Sequence, residues 1–390
     1  MVEETSMFLI FHLRVFRFRG ILYKYSGHIL TPEDDCLMKI VVLGGGISTE
    51  RHVALVTATS VCQALRRRGH QAIFVDLFFG MENYEKPLEQ AFLEPDGLCG
   101  DVAIEEKEPD LAEVWKCRRY LSNGHLGKNV LEICALADCV FLGLHGKDGE
   151  DGKIQALLEL IGVPYTGSGP LSSAIAMDKA MTKRILSSCG ILTPAWREIS
   201  YEDADNPQLT EELRVPCAVK INNGGSSIGV YLPETKEELR DALKKSLKYG
   251  NHIVVEEKIF GRELTVPVLN GRALSPIEVV PPEGTDFDYI AKYQSGALAA
   301  QEICPARINA EEDRQLRAAA EKVQRELNLK VYSRSDYILD REGKAWFLEV
   351  NTLPGMTPNS LIPKAAKVEG ISYDELCERI VLLSLEEKRN

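Results

Sequence analysis

Two short stretches near the C-terminus, RSD at 334–336 and FLEVNT at 347–352, carry a cation, two carboxylates and an amide on two predicted strands. Side chains alternate across a strand, so residues two apart share a face. Arg334 and Asp336 therefore point to one face, and Glu349 and Asn351 also share a face. A turn predicted at 340–343 folds the two strands into a hairpin. Such a surface suits Mg²⁺ held against phosphate, although a solvated polar sheet face has the same pattern.

The composition describes a globular chain with more than one domain. At 390 residues it is too long for one ordinary core, so two or three domains are expected. The net charge of −12 argues against broad nucleic-acid binding, but a few local cations and amides suffice to hold a nucleotide phosphate. Ten cysteines without any CxxC pair favour a reduced, cytoplasmic compartment.

Residues 1–37 differ in pattern from the rest of the chain. An apolar run there is interrupted by three arginines, which argues against a membrane span. We interpret this segment as an extension that is either disordered or upstream of the true start at Met38. A basic amphipathic segment on a membrane surface is the alternative.

The first predicted domain, 38–167, opens with a strand, a glycine turn, a helix and a second strand. This βαβ order predicts an α/β domain with a parallel sheet. The glycine turn lacks GxGxxG spacing because position 49 is Thr, which argues against a nicotinamide or flavin enzyme. Residues 80–130 are polar and irregular and are interpreted as an insertion. A later strand ends in a loop of glycines and acids at 145–152, as expected near a site in an open α/β sheet.

A second phosphate-binding candidate begins at Lys220, where a strand runs into a glycine-serine loop at 222–229. Glycines allow backbone amides to approach phosphate, and serine hydroxyls add donors, although an ordinary mobile turn has the same composition. Glu256 lies at the end of a later strand. The sequence leaves two interpretations open there, a hinge that meets adenine and a solvated strand end.

We expect one subdomain over 168–260 and another over 261–390.

These residues together resemble the D-alanine–D-alanine ligases of the ATP-grasp superfamily, over nearly all of residues 38–386. The resemblance implies a multidomain α/β and α+β chain, with an ATP-grasp fold preceded by a Rossmann-like (pre-ATP-grasp) α/β domain. The motifs that carry it occur in the family's order: GGISTER at 45–51, LHG at 144–146, YTGSG at 165–169, MDK at 177–179, GSS at 225–227, DYIAKY at 288–293, RSD at 334–336 and EVNTLPGMT at 349–357.

The resemblance implies an enzyme that joins two D-alanines for peptidoglycan precursor synthesis. ATP converts the first D-alanine into an acylphosphate, which the amine of the second attacks. The implied cofactors are ATP and two Mg²⁺ ions, with Mn²⁺ as a substitute, and the implied assembly is a cytoplasmic homodimer without nucleic acid or a membrane span. A D-alanine–D-serine or other dipeptide ligase, and a regulatory homologue without catalysis, are the alternatives.

The resemblance also assigns roles residue by residue. The metal ligands are Asp336, Glu349 and Asn351. The nucleotide residues are Lys179, Lys220, Ser226, Ser227, Glu256, Glu257, Glu263 and Lys292. The catalytic and substrate residues are Glu50, His145, Ser226, Tyr293, Arg334, Gly355 and Ser360. Ala54, Ile221 and Ile290 depart from the family pattern, which puts selectivity and efficiency in doubt more than reaction type.

Overall fold

The computed structural model describes residues 37–93, 109–200, 207–225, 229–246, 252–281 and 300–387. The strands are β1 Lys39–Gly44, β2 Gln71–Asp76, β3 Cys139–Leu142, β4 Trp196–Ser200, β5 Cys217–Ile221, β6 His252–Glu257, β7 Gly261–Leu269, β8 Arg272–Ala273, β9 Ile277–Val280, β10 Gln301–Ile303, β11 Tyr332–Asp340 and β12 Ala345–Asn351. The helices are α1 Arg51–Arg67, α2 Leu111–Cys117, α3 Val130–Ala135, α4 Lys153–Leu160, α5 Pro170–Met177, α6 Lys179–Ser188, α7 Pro207–Glu212, α8 Lys236–Ser246, α9 Ala310–Glu326, α10 Leu361–Val368 and α11 Tyr373–Glu386.

The first sheet is parallel, with the order β2-β1-β3. Its central strand β1 is apolar almost throughout, as a strand covered on both faces must be. The chain leaves β1 through a glycine turn, enters α1 and returns as β2. The predicted βαβ opening is therefore confirmed, and it directs the loops after β1 and β3 to the same edge of the sheet.

The second sheet is antiparallel and carries the predicted metal residues. Its order is β10-β9-β7-β11-β12, with β8 paired to β7. The turn at 340–343 joins β11 to β12, as predicted. Helix α9 packs on this sheet through Leu316, Ala320 and Val323, which share a core with the apolar face of β7.

The third sheet is a small antiparallel one with the order β4-β6-β5. Helix α8 covers it with Leu239 and Leu243, and the strands supply Val219 and Val255 to the same core. Strand β5 leads into the glycine-serine loop, and β6 ends at Glu257. The third sheet thus supplies both predicted nucleotide segments of the central region.

The C-terminal helices return to the first sheet. Ile380 and Val381 of α11 are buried in the same core as Ile40 and Val42 of β1. Among the described residues, no helix has the length and apolar character needed to cross a membrane. This return brings the turn between β12 and α10 beside the loops of the first sheet.

Candidate active site

The ladder between β11 and β12 brings the predicted metal residues together. Asp336 lies opposite Glu349, and Arg334 lies opposite Asn351. The guanidinium of Arg334 forks onto the Asp336 carboxylate, with Nε 3.0 Å from Oδ1 and Nη2 2.8 Å from Oδ2. Thr265 on β7 donates its hydroxyl to the same carboxylate at 2.5 Å. The shared face that strand alternation predicts is confirmed for Arg334 and Asp336.

This donor set fits a hard divalent cation. Two carboxylates and a carboxamide from adjacent strands are the oxygen ligands that Mg²⁺ prefers. The side-chain nitrogen of Asn351 is buried and has no hydrogen-bond partner among the described residues. Amide oxygen and nitrogen are assigned from hydrogen bonding, so an unpaired amide lets either atom serve at this position. Asn351 and Glu349 line a cleft together with Lys179, Gly224 and Gly225.

Lys179 begins helix α6 and reaches the metal face of the second sheet. Its Nζ lies 3.3 Å from Oε2 of Glu349, and it donates a hydrogen bond to the backbone oxygen of Gly224. Asp178 caps the helix by accepting the amide of Met181 at 2.8 Å, which fixes where Lys179 leaves the backbone. Lys179 thus links the glycine-serine loop to a predicted metal ligand.

Lys220 on β5 is a second cation near the cleft. Its Nζ lies 2.9 Å from Oε2 of Glu256, which is 2% exposed. Burial works against the ammonium, but the carboxylate of Glu256, with Glu349 and Glu263, raises the pKa of Lys220. Lys220 therefore stays charged. It interacts electrostatically with Glu256 on the third sheet and with Glu349 on the metal face.

Glu256 is held by two lysines, because Lys183 approaches its other oxygen at 3.2 Å. Burial opposes ionisation, but Lys220 and Lys183 together lower the pKa of Glu256. Its contact with adenine stays a prediction. Glu257 is exposed at the end of β6, and Glu263 on β7 is partly buried.

Glu50 immediately precedes helix α1 and lies between two glycine loops. A methyl group built on Gly146 would lie 2.7 Å from Glu50 Oε2, and one built on Gly225 would lie 3.1 Å from it. Gly146 also has a φ of +66°, a conformation that side chains rarely adopt. Both glycines therefore leave room for the carboxylate, and they bring the first domain and the glycine-serine loop to one place.

His145 joins the first domain to the turn after β12. Its Nδ1 lies 2.9 Å from the backbone oxygen of Leu353, and its Nε2 lies 3.0 Å from the hydroxyl of Thr57. Burial lowers the pKa of His145, which favours the neutral ring. Nδ1–H then donates to Leu353 and Nε2 accepts from Thr57. This geometry orients the loop, and the predicted contact of His145 with the first D-alanine stays a prediction.

Glu150 also contacts the turn after β12. One of its oxygens accepts the amide of Gly146 at 2.9 Å, and the other accepts the amide of Leu353 at 3.3 Å. Removal from water and the nearby carboxylate of Glu50 raise the pKa of Glu150 to about 8, while the two amides and Arg334 oppose the shift. Glu150 thus joins the loop of the first domain to the turn after β12, and its raised pKa favours the protonated carboxyl group.

The turn after β12 places Gly355 beside Ser360. A methyl group on Gly355 would lie 3.0 Å from Ser360 Oγ, which also accepts the amide of Thr357 at 3.1 Å. Ser360 precedes α10, so its hydroxyl lies at the N-terminus of a helix, where negative charge is favoured. The predicted pair Gly355 and Ser360 is therefore brought together.

Four predicted residues, Ser226, Ser227, Lys292 and Tyr293, lie outside the described residues. Conversely, the sequence reasoning missed Lys183. It follows Lys179 by four residues, and on a helix that spacing puts both lysines on one face. This signal was available from the sequence.

Comparison with known proteins supplies the family. Two family models match, the D-ala D-ala ligase N-terminus over residues 39–168 and the D-ala D-ala ligase C-terminus over residues 185–382. The D-alanine–D-alanine ligase of Pediococcus pentosaceus is 40% identical over 350 residues, which cover 88% of this chain and 97% of that protein.

Solved structures agree with this match. The D-alanine–D-alanine ligase from Bacillus anthracis complexed with ATP aligns with a TM-score of 0.66 and 29% identity, over 90% of this chain and 98% of the other. The VanG D-Ala:D-Ser ligase from Enterococcus faecalis aligns with a TM-score of 0.68 and 27% identity, over 89% of this chain and 99% of the other. The predicted ATP-grasp architecture is confirmed, and the chain belongs to the D-alanine–D-alanine ligase family.

Proposed function

We propose that this chain joins two D-alanines into D-alanyl-D-alanine at the expense of ATP, for peptidoglycan precursor synthesis. One observation carries the proposal. Asp336, Glu349 and Asn351 form one oxygen-rich face, and Arg334, Lys179 and Lys220 surround it with cations. Transfer of phosphoryl to a carboxylate brings several anions together, so it requires this combination of ligands and fixed positive charge.

The nucleotide end of the cleft holds the phosphates. In this proposal Lys179 and Lys220 contact the ATP phosphates, Glu256 and the hinge after it meet the adenine, and Glu263 meets the ribose. Asp336, Glu349 and Asn351 would hold two Mg²⁺ ions, for which Mn²⁺ could substitute, and metal bound there would supply positive charge against the phosphates. The protein's own work is to place the phosphates and to exclude water.

The substrate end of the cleft holds the amino acids. Glu50 holds the ammonium of the first D-alanine, whose carboxylate oxygen attacks the γ-phosphorus as the bond to ADP breaks. The second D-alanine, held at its carboxylate by Ser360, passes an ammonium proton to the hydroxyl relay proposed for Ser226 and Tyr293, and its amine attacks the acyl carbon. The bond between the acyl carbon and phosphate then breaks as the peptide bond forms, and the leaving phosphate takes up the second proton of the amine. Arg334 and the Gly355 amide stabilise the oxyanion that develops between these two events.

The finer features belong to the same proposal. The cysteines among the described residues are all free, which is consistent with a reduced cytoplasmic compartment. We expect a homodimer, which light scattering on the purified chain tests directly. The residues at 1–37 are proposed to be dispensable for catalysis, because the family match begins at residue 39.

The test measures phosphate release and product mass. Purified protein with ATP and Mg²⁺ is given D-alanine alone, then D-alanine with D-serine or D-lactate. We expect D-alanyl-D-alanine from D-alanine alone. An Asp336→Asn variant, purified in parallel, excludes a contaminating ligase, because loss of a proposed metal ligand should abolish most of the turnover.

Each outcome of this experiment supports a different function. A mixed D-alanyl-D-serine product in excess over D-alanyl-D-alanine would move the assignment to the dipeptide-ligase alternative. No ATP turnover with any pair of substrates would contradict the enzyme assignment and favour a regulatory homologue.

A further inference from the structure

Lys183 is a fully buried cation for which the proposed chemistry has no direct use. It lies one helical turn after Lys179 on α6 and is 0% exposed. Its Nζ lies 3.2 Å from Glu256 Oε1 and donates to the hydroxyl of Thr193 at 2.7 Å. The Thr193 hydroxyl in turn donates to the backbone oxygen of Phe347 at 3.2 Å. Lys183 is therefore fixed from two sides.

Among the residues that the structure describes, the buried carboxylate of Glu256 is shared by two ammonium groups. It forms ion pairs with both Lys183 and Lys220, and Glu349 and Glu263 act on Lys220 from farther away. Burial lowers the pKa of Lys183 to about 8, with Glu256 opposing the shift and Lys220 and Lys179 reinforcing it. A buried ammonium is costly, and an apolar side chain would fill the same space at lower cost.

The two lysines differ in what they can reach. Lys220 is 8% exposed and within electrostatic reach of Glu349, whereas Lys183 is sealed behind Glu256. Lys183 cannot touch a nucleotide in this arrangement. It can only hold the far oxygen of Glu256 and so set the angle at which the near oxygen holds Lys220.

We propose that Lys183 is a positioning residue for nucleotide binding, which acts through Glu256 to fix the ammonium of Lys220 toward the phosphates. This inference rests on the proposed function, because it assigns Lys220 to the ATP phosphates. A purely structural role would lower stability and leave nucleotide affinity at its wild-type value in the protein that remains folded. A positioning role changes nucleotide affinity selectively.

The experiment compares Lys183→Met with Thr193→Val. Methionine keeps the length of the chain and removes the charge, whereas the valine variant removes the second anchor and leaves the Lys183–Glu256 pair. Affinity for a non-hydrolysable ATP analogue with Mg²⁺ is measured by titration calorimetry. Breaking a buried ion pair is costly enough that Lys183→Met should weaken Kd by about 10- to 100-fold. Thr193→Val should stay within about threefold of wild type.

A double-mutant cycle tests the route through Glu256. Glu256→Gln should weaken nucleotide binding, and adding Lys183→Met to it should have little further effect, because the residue through which Lys183 acts is already changed. Independent, multiplying effects would overturn the proposal. In steady-state kinetics, KM for ATP should rise in Lys183→Met far more than KM for D-alanine.

A measurement on the wild-type protein keeps the inference testable if the methionine variant does not fold. A triphosphate beside Lys220 favours the charged form of Lys183, whose other charged neighbours are Glu256 and Lys179. Nucleotide binding between pH 8 and 9 should therefore take up protons, measured in two buffers with different ionisation enthalpies. Absence of uptake would overturn the inference.

Failure of the inference and failure of the proposed function give different results. A wild-type protein that binds no nucleotide contradicts the function itself. A wild-type protein that binds the analogue, together with a folded Lys183→Met variant of equal affinity, contradicts only the role of Lys183.

Discussion

At the scale of single residues, Glu150 lies in an unusual environment for an acid, because its carboxyl group is buried. Both of its oxygens accept backbone amides, one from its own loop and one from the turn after β12. Its hydrogen bonds persist when it is protonated, since each oxygen keeps a lone pair. A neutral carboxyl group beside Glu50 avoids placing two negative charges in one cleft.

This environment predicts a pH dependence of stability. The pKa of Glu150 is raised from 4.5 to about 8 in the folded protein. The folded state therefore binds more protons than the unfolded state between these values, and the slope of unfolding free energy with pH is negative there. The contribution of Glu150 is fully present below pH 4.5 and is lost as pH rises through about 8.

Chemical denaturation of wild type and Glu150→Gln at intervals from pH 5 to 8 checks this prediction. The difference in unfolding free energy between the two proteins should shrink as pH rises, by as much as about 1.4 kcal/mol per pH unit. A difference that stays constant over this range would contradict the raised pKa.

Residue-level prediction from the sequence succeeded where local periodicity decides geometry. Strand alternation gave the shared face of Arg334 and Asp336 correctly. It could not give the partner of Glu256, because Lys183 approaches from a helix that is 73 residues earlier in the chain (256 − 183), and only the packing of α6 against the sheets brings them together. Alternation specifies a direction in space, and the side chain that fills it is set by the tertiary fold.

At the scale of elements, the entry into α9 shows a local signal that the fold obeys. Asn309 accepts the amides of Glu311 and Glu312, and the Glu312 carboxylate accepts the amide of Asn309 at 2.9 Å. An asparagine followed three residues later by a glutamate is the sequence signature of such a capping box. The helix packs behind the second sheet through its buried face, so its start is a matter of stability.

Asn309→Ala should therefore destabilise the protein without changing its chemistry. Loss of the two accepted amides costs about 1 kcal/mol of unfolding free energy. Urea denaturation measures that loss, and KM for ATP and for D-alanine should stay at wild-type values. An Asn309→Ser variant, which restores a capping oxygen, should recover most of the stability. A change in either KM would show that α9 influences the cleft.

The pairing of β11 with β12 shows where element-level prediction ends. The register shifts between Asp336 and Tyr337, so that Asp336 lies opposite Glu349 and Tyr337 lies opposite Phe347. Leu348 is the extra residue of this bulge. Neither strand contains a glycine or proline at that point, so no local signal marks it. The sequence predicted the hairpin, but it contains no local signal for the bulge.

At the scale of the whole molecule, the cleft region concentrates buried ion pairs. Three lysines and an arginine pair with acids close to where the three sheets supply their loops, in a chain whose net charge is −12. Each cation contacts an acid in the ligand-free arrangement, with Arg334 on Asp336 and Lys179 on Glu349. The βαβ opening and the motifs predicted the parts. The convergence of the first sheet, the glycine-serine loop and the hairpin depends on long-range packing, which no local pattern encodes.

This pairing of acids with internal cations predicts that metal and nucleotide bind together. A metal ion alone must displace Arg334 and Lys179 from Asp336 and Glu349 and leaves both cations without a new anionic partner. A triphosphate supplies that partner.

We therefore expect Mg²⁺ alone to raise Tm little. Mg²⁺ with a non-hydrolysable ATP analogue at about 100 times its Kd should add roughly 2.7 kcal/mol to the unfolding free energy. Asp336→Asn should lose this synergy and keep the smaller response to the analogue alone. Equal stabilisation by Mg²⁺ with and without the analogue would show instead that the acids are available to metal before the phosphates arrive.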